Sequence, residues 1–468
     1  MHPLEPDAAE MRRMGEAAVR YLSDFVSGLD DAPANNVDGA VELAERLRGA
    51  PPEDPVAFED AMREFADAVA NAYEPAGPGY LAYIPGGGVF AAAVAAFLSA
   101  GVNRFVNLAG AAPALVQMED NVVRWLCDLF DLPAGSTGIL TTGGSLANFS
   151  AIVAARRAML PEDFLDGTIY ASEQAHASVA KAASLAGFPK AAIRVVPVTA
   201  DLEMDAAACA ALVRRDRADG RRPFAVVASA GTTNTGAVDP LDEVAELCAD
   251  ERLWMHVDAA YGGFFQLTER GRKRFRGIEA ASSITLDPHK GLFLPYGTGS
   301  LVVRDAATLR AAHDVGGAYL QDVVAGGHVL PNFAEYSPEL SRDFRGLRVW
   351  LPLQLHGVAA FRDALDEKLD LAAHAYRRLV DDPAIDLPWE PQLSIVALRL
   401  APRPGASVED ENDRNRAFLD RINASRRVFL SSTLIGGRFT LRMAILSHRT
   451  HRDRIDEAVE IVRAAARG

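Results

Sequence analysis

The sequence predicts an α/β protein: a large domain on a mainly parallel sheet, a helical segment before it and a small α+β domain after it. Three observations carry this. From about residue 79 to Arg304, short apolar runs alternate with longer helix-like stretches, the pattern of parallel strands joined by crossover helices. Ahead of them, two sets of apolar residues recur at three- and four-residue steps, as on one face of a helix. Behind them, a long helical stretch leads into strand-like runs and a final helix. The 468 residues suit one large domain with smaller attachments, read as 1–78, 79–347 and 348–468.

Taken in order, the first apolar stripe is Met11, Met14, Ala18, Leu22, Phe25 and Leu29, a helix over about 7–29 that Pro33 and the run Asn35-Asn36-Val37-Asp38-Gly39 end. The second is Phe58, Met62, Phe65 and Val69, a helix over about 54–73. Two such helices cannot bury both stripes alone, so they need a larger domain or a partner subunit. A Gly/Pro loop, PAGPGYLAYIPGGGV, comes next. Strands are then expected at 138–142, 168–170, 193–198, 224–229, 254–258, 283–286 and 300–303, with helices at 145–160 and 176–186. Ligands of such sheets sit outside the carboxyl ends of the strands, so the loops after strands are where chemistry is sought. The stretch 316–343 reads as a long excursion suited to a mobile lid. A long helix from about residue 347 accommodates a kink at Pro352, strands follow at 395–400 and 438–445, and a helix at 453–466 closes the chain.

Composition narrows the function. The balance of 48 Lys+Arg against 63 Asp+Glu gives a net charge of −15, which repels phosphates outside a local basic patch, so no nucleic-acid partner is expected. With 49% hydrophobic and 24% charged residues the chain is a folding one, not a disordered one. Cys127, Cys209 and Cys248 form no CxxC pair, which argues against a disulfide framework or zinc site and for a reducing, cytoplasmic setting. The N-terminus lacks the basic-then-apolar pattern of a signal peptide. The most apolar run, 89–100, is shorter than the ~20 residues a membrane span needs, so no membrane partner is expected either.

Four segments carry chemistry. Thr141-Thr142-Gly143-Gly144-Ser145 lies at a strand-to-helix junction, where glycines admit a ligand to the backbone, Ser145 caps the helix and free N–H groups meet an anion. Alone, it also reads as an ordinary capped helix. His176 lies at a loop-to-helix boundary, where its flat ring could cover a flat cofactor or serve as a cap. Asp258 ends the apolar strand Trp254-Met255-His256-Val257-Asp258, and a carboxylate there calls for a cationic partner such as a protonated ring nitrogen. His256 and Asp258 as metal ligands lack an obvious third, and no metal is expected. Asp287-Pro288-His289-Lys290 follows a strand and offers an amine that burial can keep neutral for covalent carbonyl chemistry; in isolation it also reads as a surface lysine.

In this order the motifs resemble the pyridoxal-phosphate-dependent group II amino acid decarboxylases, which have the PLP fold-type I (aspartate aminotransferase-like) architecture. The stretches that carry the resemblance are GYLAYIP, APALVQMEDNVVRWL, GILTTGGSLANFSAIVAAR, HASVAKAASLAG, ASAGTTNTGAVDPL, WMHVDAAYGG, DPHKGL, LSRDFRGLRVW and FTLRMAIL, from about residue 79 to 446. The first 78 residues match the family's N-terminal helical layer in character. The resemblance implies pyridoxal 5'-phosphate as cofactor, held by Lys290, with Asp258 on the pyridine nitrogen and His176 stacked on the ring. It implies Gly144 and Ser145 on the phosphate with Asn148 nearby, Thr233 and Ala260 along the ring, and His289 by the substrate. Lys290, His176, Asp258 and His289 are thus the expected catalytic residues. It further implies a homodimer with active sites at the subunit interface, Tyr83, Ile84 and Pro85 in the pocket wall, and Phe105 and Asn107 reaching over from the second subunit. The implied substrate is a small molecule, an L-amino acid and an aromatic one by preference, which loses carbon dioxide to leave the amine.

The sequence departs from the family in places that bear on the product. The family's mobile loop carries a tyrosine expected to protonate the α-carbon; counting back from Phe344 puts Phe333 at that place in the substrate pocket. In the family, loss of that hydroxyl is associated with oxidative, aldehyde-forming chemistry, so decarboxylation-dependent oxidative deamination stands as an alternative. Tyr336, or Tyr319 at the start of the loop, would restore the donor. Asn107 stands where aromatic-substrate members tend to carry an aromatic side chain. Asp287, where some members have asparagine, is given no phosphate role, since an acid repels a phosphate. A C–C lyase of the same fold would need a second basic site for a phosphorylated amine, and no such cluster is visible. A scaffold without catalysis would have no use for Lys290, Asp258 and His176 together.

Overall fold

The computed structural model describes residues 4–314 and 330–468. Its strands are β1 (Tyr80–Leu81), β2 (Thr137–Thr141), β3 (Gly167–Ser172), β4 (Ile193–Val196), β5 (Arg222–Ser229), β6 (Trp254–Asp258), β7 (Ser283–Leu286), β8 (Gly299–Val303), β9 (Ile385–Asp386), β10 (Ile395–Leu400), β11 (Phe429–Ile435) and β12 (Arg438–Ala444). β2 to β8 form one sheet in the order β2-β8-β7-β6-β5-β3-β4. Only β8 runs against its neighbours in that sheet. Every position of β6 and β7 is buried, because helices cover both faces and leave no room for a polar stripe. The helix Gly144–Met159 crosses the middle strands with Ala147, Ala151, Ala154 and Ala155 buried, and these small side chains let it lie close to the sheet.

The second sheet has the order β1-β11-β12-β10-β9. β1 joins it in parallel, Tyr80 opposite Phe429 and Leu81 opposite Leu430. The boundary read at 79 therefore falls just before a strand of the second sheet, whose core includes Leu81, Leu398, Phe418 and Leu441. The helix Gly346–Leu379 serves both cores: Val349, Phe361 and Leu365 pack with the large sheet, Leu371, Ala375 and Leu379 with the small one. Its kink is at Gly357 (φ 71°, ψ 157°) and not at the expected Pro352, because a positive φ is open to glycine without steric cost.

The N-terminal segment forms the helices Ala8–Gly28 and Phe58–Ala70, with a short helix Ala40–Arg46 that the sequence reading missed. Tyr21 meets Phe65 edge-on at 5.9 Å and Arg13 pairs with Glu59. Neither long helix has a buried residue, and Met11, Val19 and Phe65 are exposed. The segment is tied to the C-terminal domain by the Ala34 N–H, which donates to the Arg426 carbonyl at 2.7 Å, and by Asn35 Nδ2 on the Asn423 carbonyl at 3.1 Å. Residues 315–329, with Tyr319 and half of the expected lid, lie outside the described residues. The remainder of that stretch is packed down rather than loose, with Phe333 fully buried and the Arg342 guanidinium 5.0 Å from its ring centre. Among the described residues no helix is long and apolar enough to cross a membrane.

Candidate active site

The carboxyl ends of β2, β3, β5, β6 and β7 converge on one cavity of 470 Å³. This is where a parallel sheet exposes backbone and side chains free of the ladder. Gly144 and Ser145 enter it after β2, His176 after β3, Thr233 after β5, Asp258 and Ala260 at the end of β6, and His289 and Lys290 after β7. All the residues expected to meet the cofactor are therefore brought together. A second cavity, of 530 Å³, lies between the helices Phe90–Val102 and Gly346–Leu379; its lining is mainly apolar, with His356, His448 and Arg449, and has no lysine to hold a carbonyl carbon.

At the anion end, Gly143 is the N-cap and Ser145 lies in the first turn with no capping side-chain bond, which corrects the expected Ser145 cap. The Gly144 and Ser145 N–H groups lack intrahelical partners and turn the positive helix end toward the cavity, while the Leu146 N–H bonds the Gly143 carbonyl at 3.1 Å. Gly144 is needed for space: a Cβ there would lie 3.0 Å from Asp287 Oδ2 and 3.1 Å from Ala260 Cβ. Lys290 Nζ pairs with Asp287 Oδ2 at 2.7 Å, so Asp287 holds the amine in place. His289 is buried, its Nδ1 donates to the Thr298 carbonyl at 2.7 Å, and burial lowers its pKa.

At the opposite end, Asp258 Oδ2 accepts from Asn148 Nδ2 at 2.9 Å and Oδ1 from the Ala260 N–H at 3.2 Å. Asn148 thus serves the carboxylate, where the sequence reading placed it near the phosphate. His256 does not join Asp258 around a metal: it is bonded to Ser283 at 2.8 Å and Asn148 at 3.0 Å, and burial lowers its pKa to about 4. His176 borders the cavity and caps the helix Ala177–Leu185 through Nδ1.

The substrate wall is where expectation and structure part. Tyr83 and Ile84 line the cavity, but Pro85 is buried and does not. Phe105, expected to serve the cavity of a second subunit, is exposed outside its own. Asn107 is fully buried and donates to the Leu340 carbonyl at 2.6 Å, so its side chain braces its own chain. Phe333 and Tyr336 also lie outside the cavity, packed against the large core. Counting residues fixes a place in the chain and leaves the direction of the side chain open.

Arg442 and Tyr296 are among the lining residues that escaped the sequence reading. Arg442 on β12 donates to Ser431 Oγ and the Asn234 carbonyl, each at 2.9 Å, and to the carbonyls of Tyr83 and Thr233. Burial lowers its pKa to about 10. The signal was an arginine inside the apolar strand FTLRMAIL, a costly placement without a purpose. Tyr296 lines the cavity with its ring 5.7 Å from that of His289.

An amine, a braced carboxylate and a helix N-terminus around one hollow match an aldehyde, a protonated ring nitrogen and a phosphate, the three handles of pyridoxal phosphate. The fold and site are those of a fold-type I pyridoxal-phosphate protein. The family described as "Pyridoxal-dependent decarboxylase conserved domain" matches residues 42–401. An aromatic-L-amino-acid decarboxylase of Bacillus atrophaeus is 33% identical over 464 residues, covering 99% of this chain and 97% of that relative. The crystal structure of Oryza sativa TDC with PLP and tryptamine superposes with a TM-score of 0.94 at 27% identity, covering 100% of this chain and 99% of that one. Catharanthus roseus tryptophan decarboxylase in complex with L-tryptophan superposes with a TM-score of 0.91 at 26% identity, covering 100% of both chains. The chain belongs to the pyridoxal-dependent decarboxylase family and is a PLP-dependent carboxy-lyase.

Proposed function

We propose that this carboxy-lyase removes carbon dioxide from an aromatic L-amino acid and releases the amine. The observation that carries the reading is that Lys290 and Asp258 border one cavity with the N-terminus of the helix Gly144–Met159. The aromatic preference is supported by relatives that act on tryptophan and tyrosine, and by a wall that includes Tyr83, Ile84 and Tyr296.

The residues fit the cofactor. Lys290 would hold its aldehyde carbon, the N–H groups of Gly144 and Ser145 its phosphate, and Asp258 the proton on its ring nitrogen. His176 would cover one face, with Thr233 and Ala260 beside the ring. When bound, pyridoxal phosphate supplies a sink for the electron pair left as the carboxylate departs. Asp258 sustains that sink by keeping a positive charge next to its own negative one. Arg442, positively charged and with no carboxylate bonded to it, attracts the acidic end of an amino acid to the cavity. His289 stands by the amine.

A second reading is favoured by one observation. Among the described residues neither Phe333, which has no hydroxyl, nor Tyr336 lines the cavity, so an oxidative reaction that ends in an aldehyde is open to the chain. Product analysis by mass spectrometry, with a panel of amino acids and with oxygen present or removed, separates the two. Amine in step with carbon dioxide, without peroxide or ammonia, is the expected result; aldehyde formed only under oxygen would overturn it.

A homodimer in a reducing, cytoplasmic setting completes the proposal. The two N-terminal helices leave their apolar faces uncovered, which a second copy would bury, and the three cysteines are free and buried. Light scattering at micromolar concentration should give twice the 50.1 kDa chain mass; a monomer there would contradict it.

A further inference from the structure

Behind the cavity, the buried polar side chains form one hydrogen-bonded chain anchored on Asp258, with the Thr285 hydroxyl also 3.4 Å from His256 Nε2. Asn148, in the helix Gly144–Met159, stands at its centre and is buried. Nδ2 meets Asp258 Oδ2 at 2.9 Å and Ser178 Oγ at 2.8 Å, while Oδ1 meets His256 Nε2 at 3.0 Å. A carboxylate only accepts, so Asp258 itself dictates which end of the amide faces it. The rest follows. Asn148 Oδ1 only accepts, so His256 carries its hydrogen on Nε2. His256 Nδ1 is then an acceptor and takes the Ser283 hydroxyl hydrogen at 2.8 Å, while Ser283 Oγ accepts the Trp254 indole N–H at 2.8 Å. On the other side, Ser178 Oγ has received an amide hydrogen and gives its own to His176 Nδ1 at 2.7 Å. The Ser178 backbone N–H points at the same nitrogen, at 3.2 Å. The His176 hydrogen is therefore on Nε2, the one ring nitrogen left for a ligand.

We propose that Asn148 is a positioning residue that fixes Asp258 as an acceptor and sets His256 and His176 as Nε2–H tautomers, so that His176 meets bound ligand as a hydrogen-bond donor and not as a base. This deepens the decarboxylase reading, on which its catalytic meaning rests. The chain through Asn148 has a sense: turning the amide over would set two acceptors face to face at Asp258.

The test reads the tautomers directly. Protein labelled with ¹⁵N-histidine, free of cofactor and substrate, is measured near pH 7.5 by long-range ¹H–¹⁵N correlation, with the His176→Gln and His256→Gln variants giving the assignments. Both histidines should show a protonated Nε2 and a bare Nδ1. A hydrogen on Nδ1 of His256 would overturn the proposal. Asn148→Asp keeps the shape and removes both donors; it should lose the single tautomer at His176 and hold the cofactor at least tenfold less tightly. If that variant keeps both tautomers and full cofactor affinity, the proposal fails. The wild-type spectrum decides the assignment even where the variant does not fold. Because no cofactor or turnover is needed for the tautomer readout, failure of the decarboxylase reading would leave these signals unchanged.

Discussion

The cofactor end and the substrate end of this cavity are built differently. At the cofactor end, Asp258, Asn148 and His256 are buried and locked by bonds of 2.8 to 3.0 Å. At the substrate end, Tyr83 and Tyr296 are 57% and 63% exposed, and Phe105, Asn107 and Phe333 lie elsewhere. One chain thus fixes Asp258 and its partners, whereas the wall at Tyr83 and Tyr296 is open in the single chain. Electrostatic preorganisation needs rigid, dry surroundings, and a wall that admits and releases ligands needs the reverse.

Changes at the locked end should be the most damaging. Lys290→Ala should lower turnover by about 1,000-fold or more and abolish the adduct that borohydride fixes, as seen by intact mass; retained activity would break the comparison at its base. Asp258→Asn removes the charge and keeps the shape, and should cost about 100-fold in kcat while cofactor still binds, measured by absorbance after gel filtration.

The folded chain should also be acid-sensitive. Burial lowers the pKa of His256 and His313 to about 4 and of His448 to about 3, so these rings are neutral in the folded protein. The unfolded chain takes up their protons below about pH 6.5. Stability is therefore full above that pH and falls as pH drops toward 4, with a slope of up to about 1.4 kcal/mol per pH unit for each histidine. Urea unfolding between pH 7.5 and 5 should show the loss, and flat stability would contradict the buried neutral rings.

Phe333→Tyr is the smallest change. It adds a hydroxyl in a fully buried place beneath Arg342, so it should lower stability by about 1–2 kcal/mol and leave the product ratio of the same chain unaltered. A switch from aldehyde to amine on that substitution would mean that residue 333 acts on a substrate after all, in this chain's cavity or another's.

The same division decides what could be read from the sequence. Strands β2 to β8 lay within about two residues of expectation, because buried strands between helices leave unmistakable apolar runs. The cofactor residues follow strand ends directly, so their order along the chain reports their place in space. Phe105, Asn107 and Phe333 lie on loops, where sequence order says nothing of direction. β11 was missed because Ser431, Ser432 and Thr433 interrupt its apolar pattern, and Gly357 was passed over because Pro352 drew the expected kink. Arg442 was quoted within a matching stretch and given no task, although its cost in an apolar strand was visible.

The pairing of β1 with β11 sets a timetable for synthesis. The Tyr83 N–H waits for Ser431, and its carbonyl for Arg442, partners 348 and 359 positions later in the chain. A ribosome must finish nearly the entire message before the mouth of the cavity can take shape. Contacts this distant are slow to form, so the entrance at Tyr83 is completed only after all strands of the large sheet have been made.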